Sequence, residues 1–177
     1  MNRPKKRTEL CVSTAQKFLE AYESHKGALV PPIPVVDLAS WLGFQVVYLS
    51  LVEDDFSALV STREKLIGIN SRHHRRRQRF SICHELAHIL LHHPPESRCS
   101  VREIEVYNAE ADECAAEILM PTRLIKRWLE QTQNPFELAR VFDVSEQAMT
   151  RKLISLGFFG GLVRDTLVGW DVLGNET

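Results

Sequence analysis

Six of the seven histidines fall between positions 73 and 93, at His73, His74, His84, His88, His92 and His93, with only His25 elsewhere. Within that cluster His84-Glu85-Leu86-Ala87-His88 forms an HExxH motif. On a helix turning about 100° per residue, positions 84 and 88 are separated by about 400°, effectively 40°, so both imidazoles leave one face and can bind one metal ion. Glu85 lies about 100° round from His84, close enough to take a proton from a water at that ion without ligating it. At this composition about 0.02 such motifs are expected by chance. A catalytic zinc site takes three protein ligands and leaves a fourth position open. The sequence after His88, Ile-Leu-Leu-His92-His93-Pro94-Pro95, lacks the HExxHxxGxxH continuation, so a carboxylate from the next helix is the obvious alternative. Glu110, Glu113 and Glu117 are candidates. Glu110 and Glu117 share a face, because seven residues return to within about 20°, whereas Glu113 is displaced by about 60°.

Two blocks of sequence carry a resemblance. Arg79-Phe80-Ser81-Ile82-Cys83-His84-Glu85-Leu86-Ala87-His88-Ile89-Leu90-Leu91-His92 is followed by Glu110-Ala111-Asp112-Glu113-Cys114-Ala115-Ala116-Glu117-Ile118-Leu119-Met120-Pro121. Together they resemble the signatures of the ImmA/IrrE metallo-endopeptidases, approximately RFTLAHELGHLLLH and E-A-N/D-x-F-A-A-x-L-L-M-P. More loosely, the likeness reaches back to Asp37-Leu38-Ala39-Ser40-Trp41-Leu42-Gly43 and covers most of 34–157. It implies a gluzincin-like zinc protease with His84, His88 and Glu110 as ligands and Glu85 as base. It also implies a protein substrate, a helix-turn-helix transcriptional repressor of a mobile element or stress response. Cys83, Ala87 and Cys114 stand where that family usually has Ala, Gly and Phe. All three changes are small and leave the ligands intact.

The reaction expected of such a site is peptide hydrolysis: the metal lowers the pKa of a water, Glu85 accepts the proton, and the leaving amine receives it back. Zinc is the expected cofactor, although a His2Glu set also accepts manganese or another divalent ion. His92, His93 and Tyr107 are candidates for oxyanion stabilisation or for supporting the site. His92 continues the 84/88 spacing.

The elements that must position these residues follow from periodicity. Apolar residues at helical spacing run from about Thr8 to His25, and Pro34 opens a short second helix. Runs at 44–51, 56–61 and 66–70 read as strands of a small antiparallel meander. Helical spacing returns over 75–92 until Pro94-Pro95, a polar loop follows to about 103, and another helix covers 106–119. Pro121 opens one further helix; Asn134-Pro135-Phe136-Glu137 and Ser145 start the last two. The expected class is α+β: a mostly helical zincin-like domain with a small antiparallel three-stranded sheet and C-terminal helix-turn-helix-like helices. The expected divisions are an N-terminal helix (1–30), a metallopeptidase core (31–132), helix-turn-helix-like helices packed on that core (133–160) and a tail (161–177).

Composition limits the alternatives. The 177 residues are 44% hydrophobic and 25% charged, ordinary globular values, and 22 Lys+Arg against 23 Asp+Glu give a net charge of −1. Near-neutrality counts against nucleic acid as the main partner, despite Arg151 and Lys152 in the last helix. Arg75, Arg76 and Arg77 belong to a basic run that reads as a solvated helix face, with docking of an acidic partner or contact with DNA as its functional alternatives. No apolar run approaches the length of a membrane span, and the basic start is not followed by an apolar stretch, so a cytoplasmic protein is expected. Four Cys without a CxxC pair read as reduced thiols, Cys83 and Cys114 as core residues beside the site. The function expected is therefore a zinc-dependent endopeptidase. The alternative is a non-catalytic regulatory module with a structural metal site that binds DNA or a repressor.

Overall fold

The computed structural model describes residues 6–50, 53 and 55–158; the expected tail at 161–177 lies outside them. Its helices are α1 (Thr8–Lys26), α2 (Val35–Trp41), α3 (Arg75–Leu90), α4 (Val101–Leu119), α5 (Thr122–Leu129), α6 (Pro135–Phe142) and α7 (Glu146–Ser155). Strands β1 (Gln45–Leu49), β2 (Ala58–Ser61) and β3 (Leu66–Asn70) form one sheet between α2 and α3 in sequence. The class is α+β and mostly helical, as expected. No helix among the described residues is long and apolar enough to cross a membrane.

The pair α3 and α4 forms the centre, with α1 laid against α4. Ile82, Leu86 and Ala87 of α3 are buried together with Ala111, Ala115 and Ile118 of α4 and Ala15 and Leu19 of α1. Burial of a side chain such as Leu86 contributes about 1.5–3 kcal/mol. The ends of both central helices differ from the sequence expectation. Helix α3 stops at Leu90 because His92 adopts a left-handed conformation (φ 54°), with His92 N–H donating to Ile89 O (3.1 Å) and His93 N–H to His88 O (3.0 Å). This paired reversal is the usual way a helix satisfies its last carbonyls. Helix α4 begins at Val101 because Ser100 and Glu103 cap each other: Ser100 N–H donates to the Glu103 carboxylate (2.8 Å) and Glu103 N–H to Ser100 Oγ (3.4 Å). The supposed polar loop thus ends in a capping box.

The expected antiparallel meander is corrected. Strand order is β1-β3-β2, with β1 parallel to β3 and only β2 antiparallel to it. A meander would centre β2, whose Leu59 is exposed, whereas Ile67 to Asn70 of β3 are buried and need cover on both sides. Residues 50–57 are long enough to carry the chain past one strand position, about 10 Å. Gly68 allows the close approach in the centre: a Cβ there would lie 3.0 Å from Leu49 Cδ1 and 3.4 Å from Leu59 Cγ. The consequence for function is that, among the described residues, β2 forms an edge of the sheet beside α3.

Charged contacts hold the termini to this centre. Asp143, left-handed (φ 52°) in the turn between α6 and α7, meets Arg75 (2.9 Å), Arg79 (3.5 Å) and Arg76 (3.6 Å). Arg79 also donates to Ile33 O (2.9 Å). Lys152 of α7 is buried against Glu117 of α4 (2.5 Å), which also accepts from Thr122 N–H (3.0 Å), Thr122 Oγ (2.7 Å) and Gln16 (3.1 Å). Ahead of α1, Arg7 holds Glu110 through its backbone N–H (2.8 Å), Nε (2.9 Å) and Nη2 (2.7 Å).

Two stability predictions follow from these contacts. Lys152→Met leaves the Glu117 carboxylate buried without its cation and should cost about 3–5 kcal/mol in urea unfolding; no loss would mean that Lys152 is a surface residue in solution. Hydrogen bonds from Arg7 hold the Glu110 carboxyl down to about 2. A carboxyl depressed below its ordinary value of 4.5 stabilises the fold above that pH, and the contribution is lost as pH falls towards 2. Arg7→Ala should therefore move the acid-unfolding midpoint, followed by circular dichroism, to higher pH; an unmoved midpoint contradicts this linkage.

Candidate metal centre

His84, Glu85 and His88 of α3 face Asn108 and Asp112 of α4 across a cleft of about 1010 Å³, whose other wall includes β2. One helical turn brings His84 Nε2 and His88 Nε2 to 3.0 Å from each other. Behind them, both Nδ1 atoms are engaged. His84 Nδ1 lies 2.8 Å from Asp112 Oδ1, and His88 Nδ1 lies 2.9 Å from His93 Nδ1. His93 in turn places Nε2 3.1 Å from Glu110 Oε2 and stacks on Tyr107 at 4.6 Å and 29°. The reversal after Leu90 is what folds His93 back under His88.

The pair fits a divalent cation. With both Nδ1 atoms taken, the Nε2 atoms turn towards each other, and two facing imidazole nitrogens at 3.0 Å are satisfied by a positive ion held by both. Burial, reinforced by His84 and His93, holds the His88 pKa down to about 4, which keeps this ring neutral and able to ligate. Glu85 is half-buried in the same cleft, and burial raises its pKa, the direction that improves a carboxylate as a proton acceptor near neutrality.

The expected third ligand is placed differently. Both oxygens of Glu110 are occupied by Arg7, and His93 stands between its carboxylate and His88. Glu113 pairs with Lys6 (2.6 Å) and Glu117 with Lys152, so these two are also directed away from the His84–His88 pair. Among the described residues, no set of three His, Cys, Asp or Glu side chains surrounds one point. The α4 residues that do face the pair are Asp112 and, one turn earlier, Asn108. Sequence reasoning passed over both as site residues. The four-residue spacing that puts them on one face was readable, but nothing identified that face as the one turned to α3.

The remaining candidates separate. His93 and Tyr107 lie behind the pair, whereas His92 is turned off the His84–His88 line and lines the outer cleft. Arg75 and Arg76 are held by Asp143; Arg77 lies on the cleft rim, where Nη2 donates to Ser57 Oγ (2.9 Å). Cys83 and Cys114 are buried, and burial pushes both thiols up, Cys114 to about 12, so neither offers a thiolate.

Residues 39–153 match the sequence model of a peptidase family described as the IrrE N-terminal-like domain. The comparison with curated proteins gives no match. Among solved structures, a Mycobacterium tuberculosis transcriptional regulator is similar, with a TM-score of 0.62 and 18% identity over 84% of this chain and 47% of that one. This chain therefore spans about half the length of that protein, and at this identity the likeness is one of fold. The family match runs from α2 to α7 and contains the whole His84–Glu85–His88 helix with the α4 face opposite it. By that match the chain belongs to the peptidase family of the IrrE N-terminal-like domain.

Proposed function

We propose that this protein is a metal-dependent endopeptidase acting on a protein substrate, with His84 and His88 as metal ligands and Glu85 as general base. The observation that carries this reading is the facing Nε2 pair, 3.0 Å apart, with Glu85 in the same cleft. His84 and His88 would hold a divalent cation through these two nitrogens, zinc by the donor chemistry with manganese as a substitute, and it would supply Lewis acidity to polarise a peptide carbonyl and acidify a water. The chain's own residues do the rest. Glu85 takes the proton of the attacking water and delivers it to the leaving amine. The edge that β2 presents among the described residues offers backbone N–H and C=O groups to an extended substrate segment, fixing its register beside α3. Arg77 at the rim favours acidic side chains in that segment.

The substrate we favour is a helix-turn-helix repressor, in line with the ImmA/IrrE resemblance, in a cytoplasmic setting. One observation supports a second reading, a regulatory module that binds without cutting. Glu110 is engaged elsewhere, and the α4 face turned to the pair carries the neutral Asn108 amide beside Asp112. Nucleic acid is the weaker partner in either case, since Lys152 is buried and Arg75 and Arg76 are held by Asp143.

The deciding comparison uses zinc-loaded full chain and a candidate repressor. Glu85→Gln should bind zinc with unchanged stoichiometry and lose cleavage by about 10²–10⁴-fold. Equal cleavage by the variant removes Glu85 as base, and zinc and repressor binding with no cleavage by either protein selects the regulatory module. Within the endopeptidase reading, Arg77→Ala should raise KM several-fold for acidic peptides while leaving kcat and Tm in place. Arg75→Ala, acting through Asp143, should lower Tm instead. An unchanged KM excludes Arg77 from substrate binding.

A further inference from the structure

We infer that a second cavity, on the opposite side of α3 from the His84–His88 pair, is a binding site for a small carboxylate carried on an apolar body. Its volume is about 400 Å³, within the range of small-molecule sites. At about 100° per residue, positions 75, 79 and 82 of α3 fall within about 60° of one another and about 180° from His84. Buried Val35 and Ile82 and exposed Val36 and Tyr48 line the cavity, and Arg75 and Arg79 supply its charge. None of these residues lines the cleft at the metal centre.

Charge is the reason to expect an anion. Arg75, Arg79 and Arg76 share the single carboxylate of Asp143, at 2.9, 3.5 and 3.6 Å, so three positive charges meet one negative charge and an excess of two remains. Arg79 is the costly member, because it is 9% exposed and burial lowers its pKa. It donates Nε–H to Asp143 O (3.3 Å) and Nη2–H to Ile33 O (2.9 Å). Nη1, with two further N–H groups, has no partner among the described residues, yet it is not sealed from solvent. Arg75 approaches Asp143 through Nε, and its Nη groups have no partner among the described residues either. Two guanidinium groups thus bring unused N–H donors to one cavity. Such an edge takes a planar carboxylate through charge-assisted hydrogen bonds, about twice as strong as neutral ones. The apolar wall sets the rest of the ligand. A bare inorganic anion would leave Val35, Val36, Ile82 and the Tyr48 ring without contacts, and a neutral apolar molecule would leave the two guanidinium groups uncompensated. A carboxylate with an aliphatic or aromatic body uses both.

Phenylacetate is the probe, titrated into the full chain and followed by ¹H–¹³C methyl NMR. It should shift the Val35, Val36 and Ile82 methyls saturably and leave those of Ile89, in the metal-centre cleft, in place. A Kd on the order of 1 mM is expected for a ligand of about ten non-hydrogen atoms. Phenylacetamide, which has the same shape without the charge, should bind about tenfold more weakly, the factor for loss of a hydrogen bond between charged groups. Arg75→Gln should weaken phenylacetate by a similar factor. So should Val36→Glu, which sets a carboxylate of the chain's own at the cavity; a Glu in the first turn of α2 suits the helix dipole, so this variant decides should Arg75→Gln fail to fold. Unmoved Val35, Val36 and Ile82 methyls, or shifts confined to Ile89, overturn the inference. Equal affinity for phenylacetamide overturns the role of the arginines. Displacement of phenylacetate by an equal concentration of inorganic phosphate overturns the requirement for an apolar body.

Discussion

Two imidazole nitrogens held face to face at 3.0 Å are the constraint on which the rest of this molecule turns. Each ring is anchored through its other nitrogen, which leaves the space between the two Nε2 atoms suited to a positive charge. The fold supplies the anchors. Helix α3 contributes both rings one turn apart, α4 contributes Asp112 behind the first, and the reversal after Leu90 brings His93 behind the second. The small residues Ala87, Ala111 and Ala115 are buried in the core shared by α3 and α4 and take up little room there. Edge strand β2 closes the opposite wall, so the pair sits at the floor of a cleft open to a chain lying alongside.

The near-neutral charge acquires a structural meaning in this arrangement. Several charges serve as cross-links between elements: Arg75, Arg76 and Arg79 on Asp143, Lys152 on Glu117, and Arg7 on Glu110. Each joins an element distant in sequence to the α3–α4 centre. A helix-turn-helix-like pair at the C-terminus is thereby fixed through its turn and through one of its own basic residues, which is a packing role. Arg77 is the member of the triplet that stays at the cleft.

What could be read from the sequence was what is local. The HExxH spacing, the helical run that carries it and the caps at Asn134 and Ser145 depend on neighbours within a turn or two, and periodicity exposes them. That Glu110 and Glu117 share one face of α4 was legible in their seven-residue separation, and the structure buries both, at 1% exposed. What turned that face towards α1, and the Asn108–Asp112 face towards α3, is tertiary: it depends on where Arg7 and Lys152 lie in space. The sheet order was hidden for a similar reason, because three short apolar runs do not reveal which one needs cover on both sides. His93 was among the candidates, but its place behind His88 was hidden because left-handed His92 breaks the helical register on which the reading of that segment relied. In the family resemblance, motif position stood in for geometry at Glu110, and here side-chain partners redirect that carboxylate.

The most direct test is an anomalous-diffraction crystal structure of the protein soaked in zinc. The account predicts a single anomalous peak between His84 Nε2 and His88 Nε2, with Asp112 and His93 still on the two Nδ1 atoms and Glu110 still bound to Arg7. No peak at that position, or a Glu110 carboxylate released from Arg7 and bonded to the ion, would contradict it.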